Sequence, residues 1–288
     1  MHRFKYVFLF CSALIALSCL AILSTTAEAA PYKAPPAKTT PLPAITSVTS
    51  TLFGITAFSP TSIWAVGTSM HVPEFTGQPL IEHWDGTSWQ IVPGPTAPQD
   101  KFNSLIGVTA IANDNVWAVG FSMNATQAIG QPLIEHWDGS TWQIVPNPIA
   151  LKSGNLSAIT ASAPDDIWAV GSTSSTAGTS SEPLILHWNG SIWQVVPGAS
   201  TIGNSSLLSV SAVNSHDIWA VGSSSDAKKS KILLEHWNGT SWQSVPGLAS
   251  GMNFDELSSI TTLSDHDIWV AGNSFSQPLQ VHPLIEHW

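Results

Sequence analysis

The chain has 288 residues, of which 14 are tryptophan, and its 19 acidic residues outnumber its 9 basic ones for a formal net charge of −10. Arg3 is the only arginine, so the chain lacks the basic patch that nucleic-acid binding and adhesion to an anionic membrane surface require. Both cysteines, Cys11 and Cys19, lie near the N-terminus. The rest of the chain must therefore fold without disulfides, which an all-β domain of roughly 200–250 residues can do.

The first 29 residues have the features of a signal peptide. Arg3 and Lys5 precede an apolar run from Tyr6 to Leu23, and Ala27-Glu28-Ala29 is a small-x-small cleavage box. An uncleaved membrane anchor is the alternative, but the run is at the short limit for spanning a bilayer. Cleavage predicts a protein that is secreted or associated with the cell envelope, has no membrane insertion and carries residues 30–50 as a Pro-rich linker.

Residues 51–288 consist of a repeat of about 50 residues, and this repeat contains every tryptophan. One box reads (Ile/Val)-Trp-(Ala/Val)-(Val/Ala)-Gly and recurs at Trp64, Trp117, Trp168, Trp219 and Trp269. A His-Trp pair recurs at Trp84, Trp137, Trp188, Trp237 and Trp288. A Trp-Gln-x-Val-Pro box recurs at Trp89, Trp142, Trp193 and Trp242. The repeats cover approximately residues 51–103, 104–154, 155–204, 205–255 and 256–288.

Each repeat contains four segments with the residue pattern of a β-strand. In the third repeat these segments are Leu156–Ser162, Ile167–Gly171, Pro183–Trp188 and Ser191–Val196. Asn189-Gly190 lies between the last two and predicts a two-residue type I′ hairpin. This pattern predicts an all-β chain that forms a β-propeller of about five four-stranded antiparallel blades. The last blade is predicted to be incomplete, because Trp288 aligns with Trp84.

The repeat resembles those of secreted bacterial propellers of the kelch and BNR (Asp-box) type. The boxes that carry the resemblance are Ile-Trp-Ala-Val-Gly, Leu-Ile-Glu-His-Trp-Asp-Gly and Ser-Trp-Gln-Ile-Val-Pro, and the stretch Trp84–Trp89 is similar to a compressed Asp-box. It lacks the residue that normally separates Asp from Gly, and the paired glycines of kelch repeats are absent. The resemblance implies the propeller fold and says little about activity, because propellers host many functions.

The repeated histidines could be metal ligands or structural residues. They are His83, His136, His187, His236 and His287. Successive strand residues point to opposite faces, so each histidine and the residue before it cannot easily hold one ion. Repetition in every blade favours a hydrogen bond that stabilises the blade. The Asp-Gly and Asn-Gly turns carry one side-chain ligand each, too few for calcium. No metal or cofactor is therefore predicted.

Residue types exclude several propeller enzymes. A sialidase binds its substrate carboxylate with arginines, and a copper site of the galactose-oxidase kind needs Tyr and Cys; the repeats contain none of these residues. A glycosidase needs only two or three carboxylates. The innermost predicted strands are uncharged, so the candidates near the channel mouth are Asp100, Asp255 and Glu256. A carbohydrate-active enzyme that uses these three carboxylates remains an alternative.

Loop lengths predict where a ligand binds. The turns between strands one and two and between strands three and four are short and share one face. The loops between strands two and three and between blades are long, differ from blade to blade and share the other face, where function is expected. The predicted contacts on this face are Phe75, Phe102, Phe254, His71, Glu74 and His282. The sequence thus predicts an exported, non-catalytic propeller that binds a protein or carbohydrate, and a structural or truncated repeat protein without a dedicated ligand is the third alternative.

Overall fold

The computed structural model describes residues 48–71, 76–95, 101–124, 130–148, 151, 153–174, 180–199, 204–225, 229–247, 254–276 and 280–288. The predicted signal peptide and nearly all of the linker lie outside these residues. The described part contains β-strands and no helix, and therefore no helix able to cross a membrane. It belongs to one compact unit, Thr46–Trp288.

In the described part of the chain, nineteen strands form five successive antiparallel blades, each with its first strand innermost. The first strands are β1 (Val48–Ser59), β5 (Lys101–Ala112), β9 (Asn155–Ala163), β13 (Asn204–Asn214) and β17 (Phe254–Ser264). The second strands are β2 (Ser62–His71), β6 (Asn115–Asn124), β10 (Asp166–Ser174), β14 (Asp217–Ser225) and β18 (Asp267–Ser276). The third strands are β3 (Thr76–Trp84), β7 (Gln131–Trp137), β11 (Ser181–Trp188), β15 (Ser230–Trp237) and β19 (Gln280–His287). The short fourth strands are β4 (Trp89–Ile91), β8 (Trp142–Ile144), β12 (Trp193–Val195) and β16 (Trp242–Ser244).

This architecture confirms the predicted fold class. The first four blades have four strands each, and the fifth has three strands in the described residues. One parallel bridge between Ser230 and Phe254 joins the fourth and fifth blades into a single seven-stranded sheet. The first strand begins at Val48, three residues before the predicted start of the repeats.

The last residue of the Ile-Trp-Ala-Val-Gly box must be glycine because another strand lies against it. The pairing of first and second strands shifts register beside this residue, as at Leu52/Gly54 in the first blade. A Cβ atom on Gly67 would come within 1.9 Å of the Thr51 carbonyl oxygen, and one on Gly171 within 2.0 Å of the Asn155 carbonyl oxygen. Any side chain there would push the two strands apart.

The hydrophobic core consists of one cluster for each interface between neighbouring blades. In the interface between the first two blades, Trp64 packs against Trp137 at 5.2 Å and against Trp142 at 5.4 Å between ring centroids. In the next interface, Trp117 packs in the same way against Trp188 and Trp193. The tryptophans thus fill the space between blades, as wide aromatic rings do in an interior packed at crystal-like density.

Each Asp-Gly or Asn-Gly sequence forms a four-residue loop, so the predicted two-residue hairpin is wrong. Trp84 pairs with Trp89, which leaves residues 85–88 as the loop. The Asp85 carboxylate accepts hydrogen bonds from the Thr87 and Ser88 backbone N–H groups at 2.7 and 2.9 Å. Gly86 has a φ of 96°, which glycine adopts readily. The side-chain oxygen of the Asp or Asn accepts hydrogen bonds from the backbone two and three residues later, and these bonds hold the loop at four residues.

Candidate functional site

Every described histidine of the His-Trp pairs lies in a small network of hydrogen bonds and stacked rings. In the third blade, His187 Nε2 lies 2.6 Å from Asp166 Oδ1, and the Trp168 indole N–H donates to the same oxygen at 2.9 Å. The His187 and Trp168 rings stack with centroids 4.2 Å apart. Because a carboxylate only accepts, the histidine must donate from Nε2. Asp217 and Asp267 hold the same position in the fourth and fifth blades.

The repeated histidines make hydrogen bonds and ring contacts inside their blades, as the structural interpretation expects. In the second blade, Asn115 Oδ1 accepts from Trp117 at 2.8 Å and lies 2.9 Å from His136 Nε2. Burial lowers the pKa of His136, against an opposing effect of the Asp138 carboxylate, so its ring is neutral at neutral pH. A search of the described residues finds no group of three His, Cys, Asp or Glu side chains placed to hold a metal ion. The sequence signal for this network was the Asp or Asn two residues before each of these tryptophans.

The first blade differs from the others at this network. Ser62 occupies the position of Asn115 and Asp166, and its hydroxyl lies 3.4 Å from His83 Nε2. The Trp64 indole N–H is buried and has no hydrogen-bond partner within the described residues. A recess of about 320 Å³ opens beside it, between the turns of the first two blades, and is lined by Thr61, Ser62, Trp64, His83, Asp85, Asn113, Trp137 and Gly139. The shorter serine side chain thus leaves an indole donor unsatisfied, which costs about 1–3 kcal/mol.

The glutamates of the Leu-Ile-Glu-His-Trp box are buried, and those of the second, fourth and fifth blades lie against the segment that follows the preceding blade. Glu235 Oε2 accepts a hydrogen bond of 3.0 Å from the Ala199 backbone N–H, in the segment that follows the preceding blade. Glu135 lies in the corresponding place next to Gly94 and has a pKa of about 8, because burial raises it. In the third blade Leu186 replaces the glutamate. In the segment after the second blade, which precedes it, Asn147 stands at the position that Gly94 has after the first blade. The two replacements occur together, which indicates that this carboxylate serves the blade interface.

The short turns lie together on one face, as the loop lengths predict. A Cβ atom on Gly86, in the turn between strands three and four, would meet the Thr61 side chain in the turn between strands one and two. At the other face, the Gly154 backbone N–H donates to the Gly130 carbonyl at 2.8 Å, which joins a blade-to-blade loop to a loop between strands two and three. Most residues of the long loops lie outside the described part of the chain.

Two of the predicted ligand contacts, Phe75 and Glu74, lie outside the described residues, and so does the acidic candidate Asp100. For His71 and Phe254 only the backbone is described, at the end of β2 and the start of β17. The Phe102 ring stacks on the Phe121 ring at 6.0 Å and lies against Gly77 of the first blade. Phe102 therefore packs between two blades as well as lying near the long-loop face. His282 is exposed at the start of β19.

Two of the three acidic candidates, Asp255 and Glu256, lie at the start of β17. The buried Asp255 carboxylate accepts a hydrogen bond of 2.6 Å from the Ser274 hydroxyl. Glu256 is bonded to Ser223 of the fourth blade, and burial raises its pKa. Because the two residues are consecutive in a strand, their side chains point to opposite faces of the sheet. Sequence reasoning missed the serine partners, since serine is abundant throughout the repeats.

No protein-family profile matches the chain, and no curated protein matches it. Among solved structures it is similar to a protein of unknown function from Dyadobacter fermentans, with a TM-score of 0.53, 10% identity and coverage of 84% of this chain and 79% of that chain. It is also similar to a polysaccharide lyase of family PL25, an ulvan lyase bound to a GlcA–Rha3S unit, with a TM-score of 0.52, 8% identity and coverage of 83% and 63%. YCF48 bound to a D1 peptide has a TM-score of 0.47 and 16% identity, with coverage of 82% and 67%. At these identities the similarity shows the fold alone, which is that of a β-propeller.

Proposed function

We propose that this chain is an exported, non-catalytic β-propeller that binds a protein or a carbohydrate through its long-loop face. Export follows from the signal-like features of residues 1–29, and the kelch or Asp-box type of repeat is part of the same proposal. The observation that carries it is that each repeated histidine lies within hydrogen-bonding distance of a side chain of its own blade. The histidine, aspartate and asparagine side chains of the network bond to each other and leave no common reactive group for catalysis.

Residues that depart from the repeat support the choice of face. Phe102, Asp255, Glu256 and His282 lie at strand ends next to the long loops. Position 255 is occupied by a small serine in the first and fourth blades, at Ser50 and Ser205, and by a carboxylate only in the fifth. The blades repeat one sequence in their strands and differ at the strand ends beside the long loops. Binding specificity in such proteins is commonly carried by the loops.

The binding experiment combines a glycan array with affinity capture from the native cell envelope. We expect replacement of Phe75 and Phe254 by alanine, together with Phe102→Leu, to abolish the binding found with the parent chain. Leucine at position 102 keeps apolar volume at a packed site. Tryptophan fluorescence should show that the triple variant is folded. A matched variant on the opposite face, Asp85→Asn with Asp138→Asn, should bind normally; loss of binding in that variant alone would show that the face is assigned wrongly.

A carbohydrate-active enzyme is the second candidate, and the raised pKa of Glu256 supports it. A carboxyl whose pKa is raised by burial keeps its proton to a higher pH than an exposed one, which is what a general acid requires. Asp255 points to the opposite face of the strand from Glu256. Of the three candidates, the second carboxylate of such an enzyme would therefore have to be Asp100. A screen of polysaccharides for released reducing ends tests this directly. Activity that disappears in Glu256→Gln and survives in Glu182→Gln would favour the enzyme over the binding protein.

A further inference from the structure

Two positions near each repeated histidine share an aspartate between them in the first four blades. One is the acceptor at the start of the second strand, and the other is the first residue of the turn after the His-Trp pair. In the third and fourth blades the acceptor is Asp166 or Asp217, and the turn begins with asparagine. In the second blade the acceptor is the neutral Asn115, and the turn begins with Asp138, whose charge acts on His136. An aspartate in one position thus goes with a neutral residue in the other.

The first blade has the same kind of turn as the second blade but lacks its acceptor. The turn begins with Asp85, so the pattern predicts a neutral acceptor, and Ser62 stands in the place of Asn115. The Ser62 hydroxyl lies 3.4 Å from His83 Nε2, and in the described chain nothing accepts from the buried Trp64 indole N–H. In the second blade the amide oxygen bonds to both rings. A neutral amide group is therefore what this blade lacks.

The recess of about 320 Å³ lies beside the place of this amide group, between the first two blades. It is lined by the three network residues Ser62, Trp64 and His83, and Asp85 and Trp137 also border it. The recess is larger than an amide group, and its volume is at the lower end of the range for small-molecule sites. Because its walls come from short turns and the strands next to them, it lies away from the long-loop face.

The electrostatics of the recess favour a neutral ligand. Hydrogen bonds from the Thr87 hydroxyl and from the Ser88 and Thr87 backbone N–H groups lower the pKa of Asp85 to about 2, so a carboxylate borders the recess at neutral pH. Burial lowers the pKa of His83, against the opposing effect of Asp85, so this ring is uncharged. A second carboxylate would be repelled by Asp85, because no lysine or arginine lines the recess. A neutral amide meets no such repulsion, and its oxygen can accept two hydrogen bonds.

We propose that this recess binds a small molecule through a neutral amide group. The amide oxygen accepts from the Trp64 indole N–H and from His83 Nε2, in the way that the Asn115 oxygen does in the second blade. The remaining volume holds the part of the molecule that carries the amide, next to the Trp137 ring. This site is separate from the long-loop site proposed above, so either one can fail without the other.

Titration of the exported chain with acetamide, followed by NMR of isotope-labelled tryptophan, tests the proposal. The indole N–H cross-peak of Trp64, identified as the indole peak that Ser62→Asn displaces, should shift and saturate. We expect a Kd in the millimolar range, because so small a ligand makes few contacts. Acetate has nearly the same shape and a negative charge, and it should bind at least about tenfold more weakly. The Trp117 indole N–H is bonded to Asn115, so its cross-peak should not respond.

Three variants make the test specific. Ser62→Asn supplies the amide from the chain itself, so it should fill the recess and abolish the saturable shift. Asn115→Ser removes the amide from the second blade and should make the Trp117 cross-peak respond to acetamide. Asp85→Asn reproduces the turn of the third blade, which begins with Asn189. It removes the charge that repels an anion, so acetate should then bind at least as tightly as acetamide.

A Trp64 cross-peak that does not respond to acetamide, or that shifts without saturating, would show that the recess holds water only and would overturn the proposal. A saturable shift that persists in Ser62→Asn, or acetate that binds the parent chain as tightly as acetamide, would overturn it as well. The spread of the indole cross-peaks shows whether each variant is folded. If Asn115→Ser does not fold, Ser62→Asn and Asp85→Asn still decide the outcome. Failure of the long-loop site would leave all of these results unchanged.

Discussion

The interior blades and the two end blades have nearly the same sequence and different surroundings. In the interior third blade, the His187 side chain is 24% exposed, and Trp168 packs against two tryptophans of the next blade. In the fifth blade, the equivalent His287 side chain is 47% exposed, and Trp269 packs on it without such a pair. In the first blade the Trp64 ring is buried, but its indole N–H lacks the carboxylate or amide acceptor of the other blades, because Ser62 stands where Asp or Asn stands elsewhere.

From this difference we expect the stability of a repeat to depend on its neighbours. In a propeller, as in other repeat architectures, each unit is stabilised by its contacts with adjacent units. Identical tryptophans should therefore contribute different free energies according to whether a neighbouring blade covers them. The same consideration explains why blade-stabilising residues recur in all five repeats, whereas a ligand site need occur only once.

The largest expected effect comes from removing the equivalent tryptophan in the two kinds of blade. Trp168→Ala should lower the free energy of unfolding by about 3–5 kcal/mol, because it empties a fully packed site. Trp269→Ala should cost less than half of that, since fewer groups surround its ring. Urea denaturation should compare each variant with the parent chain. Equal losses would contradict the distinction between interior and end blades.

A buried carboxyl at an interior interface should make stability depend on pH. Burial raises the pKa of Glu135 to about 8, whereas its ordinary value is 4.5. The folded state therefore holds this proton more tightly than the unfolded state, and the resulting stability is complete below pH 4.5 and lost as the pH rises to about 8. Glu135→Gln keeps the neutral form, so its advantage over the parent chain should grow by up to about 1 kcal/mol per pH unit across that window.

Denaturation of Glu135→Gln at pH 5, 6.5 and 8 measures this effect. Glu182→Gln is the matched control, because Glu182 is exposed and lies away from the blade interface. Its difference from the parent chain should stay constant across the same three pH values. A constant difference for Glu135→Gln as well would show that its carboxyl is not buried in the neutral form.

Much of the fold could be predicted from the sequence, because the same pattern of apolar and polar residues recurs about every 50 residues. The spacing of Trp64, Trp117 and Trp168 fixes the blade length, and the short turns fix which loops share a face. The acceptor in the histidine network was harder to predict, because it depends on Asp166 and His187 meeting across two strands. The four-residue loop at Asp85 depends on side-chain hydrogen bonds that the Asp-Gly pair alone does not reveal.

The candidate binding site was less predictable for a physical reason. Its residues do not repeat, so no period marks them, and single aromatics in loops pack or bind according to their surroundings. Phe102 illustrates this: the sequence presents it as a loop aromatic, and in the fold it lies on Gly77 and Phe121. Asp255 and Glu256 appear as an acidic pair in sequence, yet a strand places neighbours on opposite faces.

The smallest expected effect is the repair of the first blade. Ser62→Asn supplies the acceptor that Asn115 provides in the second blade, so its oxygen can accept from Trp64 and His83. We expect the free energy of unfolding to rise by about 0.5–1.5 kcal/mol, the contribution of a typical net hydrogen bond. Thermal and urea denaturation of Ser62→Asn and Ser62→Ala should show a gain only for asparagine. A gain of the same size in both variants would mean that the missing acceptor is not what distinguishes this blade.

The central claim is that the repeated His-Trp pairs hold the blades together and perform no chemistry. Measuring the free energy of unfolding of His136→Ala, with a chelator and with added zinc, tests it most directly. We expect a loss of about 1–3 kcal/mol in both conditions, because the half-buried Asn115 loses a hydrogen-bond partner and the buried Trp117 loses its ring contact with His136. Ligand binding by the folded fraction should be unchanged. Unaltered stability together with loss of a bound metal ion would contradict the claim.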